Sequence, residues 1–173
     1  MPVLTGAVEA AHARREFLEQ AAVGAVLVKT WRPRWARWLA GAACVGVARE
    51  VAVPSAAALD PAALDPAAPG RAATLDLPGR PVPVPTPGHT TGHTAFALPD
   101  LGVVGTGDAL VTGHPTSARP GPQLLDDVFH HDTARARDAG LDALAGLDAD
   151  VVVPGHGPVH RGPVAEAVAR ARE

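Results

Sequence analysis

The sequence predicts an α/β (α+β) fold, and three observations carry the prediction. Short apolar runs at residues 82–84, 94–98, 101–104 and 151–153 have strand length and stop at turns containing Gly or Pro. Longer stretches of good helix formers occupy residues 8–22, 133–147 and 163–172. Three of the strand ends then carry one candidate ligand each, His89, Asp108 and His156, always beside glycine. Strand ends of this kind gather polar side chains at one edge of a sheet, where ligands often bind. A chain of 173 residues can bury a real core, and we read residues 1–173 as a single domain.

Residues 2–4 read as a short strand, and residues 8–22 as a helix with Glu9 in its first turn. All three tryptophans follow within residues 31–39. Trp31, Trp35 and Trp38 fall at i, i+4 and i+7, which is one helical face, while Arg32, Arg34 and Arg37 point elsewhere. Thr30 is the expected cap and Pro33 sits in the first turn, where proline is tolerated. The tryptophan face is expected to pack on the protein or over a substrate pocket, in preference to a membrane surface. Cys44, the single cysteine, has apolar neighbours and is expected to be a buried, inert thiol.

Residues 54–73 read as loop. Ala57-Ala58-Leu59-Asp60-Pro61 is repeated at once over residues 62–66, and repeated Asp-Pro steps disfavour a continuous helix. Residues 74–77, a turn at 78–81 and residues 82–84 are expected to form a hairpin leading into His89, with Pro83 and Pro85 marking an edge strand. In the loop that follows, Pro87 fixes φ and Gly88 allows a sharp turn that presents His89. Residues 109–125 form a Gly- and Pro-rich loop that carries His114 and is expected to border a pocket. Asp132 is the natural N-cap of the helix over 133–147, and Pro163 suits the start of the last helix. The adjacent His130 and His131 are expected to be surface or supporting groups.

The segments Pro87-Gly88-His89-Thr90-Thr91-Gly92-His93, Gly105-Thr106-Gly107-Asp108 and Pro154-Gly155-His156-Gly157, in this order and spacing, resemble the later metal motifs of the metallo-β-lactamase-fold hydrolases, the superfamily that includes glyoxalase II. The resemblance runs from about Leu75 to Val164. It implies an αβ/βα sandwich in which His89 binds one metal, Asp108 bridges two and His156 binds the second, with His93 as a supporting residue. The family's H-x-H-x-D-H signature has no counterpart between Met1 and Thr86, where the only histidine is His12. The resemblance therefore implies a partial, N-terminally truncated domain lacking the first metal motif.

The activity so implied is metal-dependent hydrolysis of an ester, thioester, lactone or related bond in a small-molecule substrate, with Asp108 as the catalytic carboxylate. Zinc is the expected cofactor, one or two ions, and these donor types also suit iron or manganese. A catalytic zinc usually takes three protein ligands, so His89, Asp108 and His156 suffice for one ion and fall short for two. A non-catalytic remnant of the fold that binds a partner is the alternative.

Composition narrows the remaining classes. A net charge of −3 without any basic block argues against a nucleic-acid surface. A lone cysteine excludes an intrachain disulfide and a Cys-rich zinc site. The N-terminus lacks the charged and apolar regions of a signal peptide, and the longest apolar runs are too short to span a bilayer, so a cytoplasmic location without membrane contact is expected. Aromatic residues make up only 3% of the chain, so large core anchors are few. A core missing its front strands would also expose apolar surface, and self-association is expected from that.

Overall fold

The computed structural model describes residues 3–47, 49, 51–59 and 74–173. Strand β1 (Val3–Thr5) pairs in parallel with β2 (Ala56–Ala58), and the pairing is extended by the Leu59 N–H donating to Thr5 O at 2.7 Å. Three alanines have little intrinsic strand preference, and here the long-range partner decides the conformation, so the loop expected from residue 54 onward is interrupted by a strand. The Asp-Pro repeat falls mostly on residues 60–73, which lie outside the described residues.

Helix α1 (Ala7–Ala13) covers this ribbon and buries Ala10. It ends well short of the expected residue 22. Arg15 adopts a left-handed φ of 65°, and the Glu16 N–H reaches back to Ala11 O at 3.0 Å, a hydrogen-bonded stop that turns the chain out of the helix.

Helices α2 (Val23–Val28) and α3 (Pro33–Cys44) come next. Proline occupies the first position of α3, where its missing N–H costs nothing. Thr30 does not cap α3: its hydroxyl donates to Leu27 O at 2.7 Å and closes α2. Trp31 therefore falls outside the helix and is 76% exposed, with the Arg32 guanidinium 5.1 Å from its ring. Trp35 is 2% exposed and stacks on Phe129, ring centroids 5.5 Å apart and planes 2° from parallel. Trp38 meets the edge of both rings. The expected single tryptophan face holds for Trp35 and Trp38 and fails for Trp31, and Arg34 and Arg37, expected to point elsewhere, line the same cleft as Trp38. Cys44 is exposed, not buried, because the end of α3 stands off the core, as exposed Val45 and Val47 also show.

The main sheet runs in sequence order: β3 (Val82–Pro85), β4 (Thr94–Leu98), β5 (Val103–Gly107), β6 (Val151–Pro154) and β7 (His160–Arg161). Only the β5–β6 pair is parallel. Strand β3 is an edge, as its prolines require. Residues 74–77 do not form the expected partner strand, and the contact is reduced to Leu75 N–H donating to Pro81 O at 2.9 Å.

Alternation along the strands sends Ala95, Ala97, Val104, Thr106 and Val152 to one buried face. Helix α5 (Leu141–Ala145) and helix α6 (Val164–Arg172) close that face with Leu141, Leu144, Val164, Ala167, Val168 and Ala171. Helix α4 (Thr133–Arg135) is capped by Asp132, whose Oδ1 accepts the Arg135 N–H at 2.9 Å, and runs into α5 through one wide π-helical stretch, Ala136–Gly140. The opposite sheet face carries Phe96, Leu98, Val103, Val151 and Val153, all at least partly exposed. Among the described residues no helix is long and apolar enough to cross a membrane.

Candidate metal centre

The His89 loop is held by its backbone. Thr86 N–H donates to His93 O at 2.8 Å and Gly88 N–H to Thr90 O at 2.9 Å, which closes the turn on itself. The approach to α4 then clasps it, with His131 N–H on His89 O and Asp132 N–H on Gly88 O, both at 2.9 Å. Gly88 has φ 135°, and a Cβ there would collide with the backbone of Ala136. Glu19 braces the far side, accepting the Thr91 N–H at 2.7 Å and the Thr91 hydroxyl at 2.9 Å. Burial pushes the Glu19 carboxyl up, but these bonds outweigh it and hold the group below the usual carboxylate range.

Asp108 stands at the end of β5, where the β5–β6 register slips between Gly105 and Gly107. A bulge of this kind bends the strand end and re-aims the side chain that follows. The Asp108 N–H donates to His93 Nε2 at 3.2 Å, and His93 Nδ1 lies 2.8 Å from Thr86 Oγ1. Since the backbone N–H only donates, Nε2 must accept, and the ring proton sits on Nδ1 facing the Thr86 hydroxyl. His93 is thus a strut between the two strand ends, in line with its expected supporting role.

His156 comes from the loop after β6. Gly155 N–H donates to Gly107 O at 2.8 Å, and His156 O accepts the Thr112 N–H at 3.0 Å. A Cβ on Gly155 would lie 2.5 Å from Asp108 Oδ1, so glycine is what lets this loop pass the carboxylate.

The structure brings His89, Asp108 and His156 into one cleft. His89 Nε2 is 3.4 Å from Asp108 Oδ2, and His156 Nε2 is 3.5 Å from Asp108 Oδ1. Two ligands sharing a tetrahedral ion at bonds of about 2.0–2.2 Å are separated by about 3.3–3.6 Å. Each histidine–carboxylate pair therefore fits one edge of a coordination sphere, and imidazole with carboxylate is a donor set that zinc, iron and manganese accept. The two histidines address different oxygens of Asp108, however. Among the described residues no group of three or more His, Cys, Asp or Glu side chains converges on one ion. The side chains thus form two histidine–carboxylate pairs that share Asp108.

Burial lowers the His89 pKa from its ordinary 6.5, and Asp108 only partly offsets the effect. Burial also lowers His93 and His114, and the neighbouring imidazole adds to it in each case. Neutral imidazole is the form a metal requires.

Two further histidines reach the centre. His114 stands edge-on to His156 with ring centroids 5.1 Å apart, and His130 stands edge-on to His89 at 5.7 Å. Among the described residues, both ring nitrogens of His130 and the Nδ1 of His89 are buried without a hydrogen-bond partner. The sequence placed His114 in a pocket-bordering loop, which it is, but gave no sign that His130 turns inward while His131 stays half-exposed. The cleft has a volume of about 890 Å³, and α3 forms one of its walls through Arg34, Arg37 and Trp38.

A family model described as the metallo-beta-lactamase superfamily matches residues 7–156. Among solved structures, the metallo-beta-lactamase family protein TTHA1429 from Thermus thermophilus is similar over 99% of this chain at 21% identity and a TM-score of 0.53. TTHA1623, solved in a di-iron-bound form, is similar over 99% of this chain at 22% identity and a TM-score of 0.48. The metallo-beta-lactamase FIM-1 from Pseudomonas aeruginosa, in its mono-zinc form, matches 51% of this chain at 26% identity and a TM-score of 0.39. The chain spans 51%, 63% and 36% of those three proteins respectively. No curated protein matches. The likeness to TTHA1429 agrees with the α/β sandwich described above.

Proposed function

The chain belongs to the metallo-beta-lactamase superfamily, and from that membership we propose that it is a metal-dependent hydrolase whose centre is Asp108 flanked by His89 and His156. The observation that carries the reading is the division of Asp108 between its neighbours, Oδ2 toward His89 and Oδ1 toward His156. A carboxylate so disposed offers one oxygen to each of two cations. Zinc, iron or manganese bound there would supply the Lewis-acid chemistry that makes water nucleophilic at neutral pH.

The chain's own residues do the rest. His89 and His156 would hold the cation through an imidazole nitrogen each, and His93 holds Asp108 in place from behind. The cleft orients a small substrate so that water adds to its acyl carbon, the C–O or C–S bond breaks and the leaving group departs with a proton. Two protein donors would leave half of a tetrahedral sphere to other ligands, one fewer donor than a catalytic zinc usually has, so weak metal affinity is expected. Metal content after dialysis against zinc, iron or manganese, followed by hydrolysis of a thioester, ester and lactone panel, tests the proposal. Asp108→Asn should abolish both binding and turnover. Tight retention of metal by Asp108→Asn would sink the assignment.

The absence of a three-donor group among the described residues favours a second reading, a member of the fold that binds a partner without catalysis. Metal-independent binding of a ligand in the cleft, with no turnover on any member of the panel, is its signature.

A further inference from the structure

The wall that α3 presents to the cleft combines cation and aromatic surface on one helical face. Arg34, Arg37, Trp38 and Gly41 fall at i, i+3, i+4 and i+7, and all four line the same cleft as Asp108. Gly41 contributes no side chain, so the wall opens there. Facing it, Phe129 stands edge-on to Trp38 with ring centroids 5.3 Å apart.

Among the described residues, the only charged side chains on the lining are Arg34, Arg37 and Asp108. Asp108 already faces the two histidines. Arg34 uses one N–H on Ser117 O at 3.3 Å, and among the described residues neither arginine is paired with a carboxylate. Each guanidinium is a planar fork that matches a carboxylate, and two of them, one turn apart on α3, line the cleft beside an aromatic wall.

We infer that the cleft takes a substrate with an apolar body and a carboxylate, the body lying against Trp38 and Phe129 and the carboxylate held by Arg34 and Arg37. The inference rests on the hydrolase reading only for the placement of the scissile bond at Asp108. The anion subsite stands without it, and its test involves no turnover.

The test measures binding of phenylbutyrate and its uncharged isostere phenylbutyramide to the chelator-treated chain, by calorimetry and by tryptophan fluorescence. Chelation removes metal, so a bound cation does not compete for the carboxylate. The acid should bind about 10-fold more tightly than the amide, and the difference should shrink in salt of about 0.5 M. The double substitution Arg34→Gln with Arg37→Gln should erase the preference, and Arg34→Lys with Arg37→Lys should keep part of it. Equal binding of acid and amide by the unmodified chain overturns the inference, as does a preference that survives the glutamine pair. A phosphate monoester of the same body bound more tightly than the acid overturns the carboxylate assignment. Failure here leaves metal binding and hydrolysis at Asp108 untouched, and loss of those leaves this result standing.

Discussion

His93 Nε2 accepts the backbone N–H of Asp108 at 3.2 Å, while its Nδ1 faces Thr86 Oγ1 at 2.8 Å. One imidazole therefore ties the strand end that carries the central carboxylate to the strand end that begins the His89 loop. Its tautomer is dictated by the backbone donor, so the strut works only with neutral histidine.

Replacing the strut should loosen the centre without touching a proposed ligand. His93→Ala is expected to lower metal affinity about 10–100-fold, the usual cost of a lost supporting partner. Competition against a chromogenic chelator reads this directly. Thr86→Val should leave the Nδ1 proton unpaired in a buried site and destabilise the fold by about 1–3 kcal/mol.

Gly155→Ala probes the crowding between the His156 loop and Asp108. An added Cβ would lie 2.5 Å from Asp108 Oδ1, with Gly107 backbone atoms close behind it at 3.0 Å. The backbone cannot yield as a flexible side chain would, so a cost of about 1–3 kcal/mol is expected from overpacking. Urea unfolding measures it. Metal affinity should fall in parallel, because the atom displaced is the one that faces His156.

His130 offers the opposite outcome. Among the described residues its two ring nitrogens are buried without partners, an arrangement that costs free energy for each unsatisfied group. His130→Leu is expected to leave the metal-free chain unchanged or stabilise it by about 1 kcal/mol. A thermal melt showing clear destabilisation would mean that the ring makes contacts in solution other than those described.

The parts of this centre written in local turn chemistry were legible in the sequence. In Pro87-Gly88-His89 and Gly155-His156 the glycine allows close backbone approach, and in Gly107-Asp108 it takes a left-handed φ beside the His93 ring, so a glycine next to each candidate ligand was a readable sign. Strands β4, β5 and β6 were legible for a similar reason, being short apolar runs with clear stops. What depended on distant partners was not. Ala56–Ala58 is a strand only because β1 lies beside it, and α1 ends where Arg15 turns left-handed, in a run of residues with good helix propensity. The inward turn of His130 follows from where α4 docks on the Gly88 loop, which no sequence period encodes. Three tryptophans at helical spacing suggested one face, but the helix begins at Pro33 and leaves Trp31 outside.

The expected self-association can be tested at the half-exposed sheet face. Phe96, Leu98, Val103, Val151 and Val153 lie on it, and Val153 is 43% exposed at the strand centre. Sedimentation velocity should show concentration-dependent association that Val153→Asp reduces, since a charge on that face opposes burial. A chain that stays monomeric at all accessible concentrations contradicts the expectation.

The final prediction concerns acid. His89, His93, His114 and His130 all have pKa values lowered from 6.5, in every case chiefly by burial. A histidine with a depressed folded pKa binds fewer protons folded than unfolded. Its contribution is fully present above the unfolded value near 6.5 and is lost as pH falls from there through the folded value. Four such groups acting together should make the metal-free chain markedly less stable at pH 5 than at pH 7.5, with little change between about pH 7 and 8. Metal binding should weaken over the same acidic window, because protons compete for the same nitrogens. Urea midpoints measured across this range check the sign. The fourfold variant His89→Gln, His93→Gln, His114→Gln and His130→Gln separates the histidines from the carboxylates: its stability should decline far less between pH 7 and pH 5, and an unchanged decline would place the acid sensitivity elsewhere.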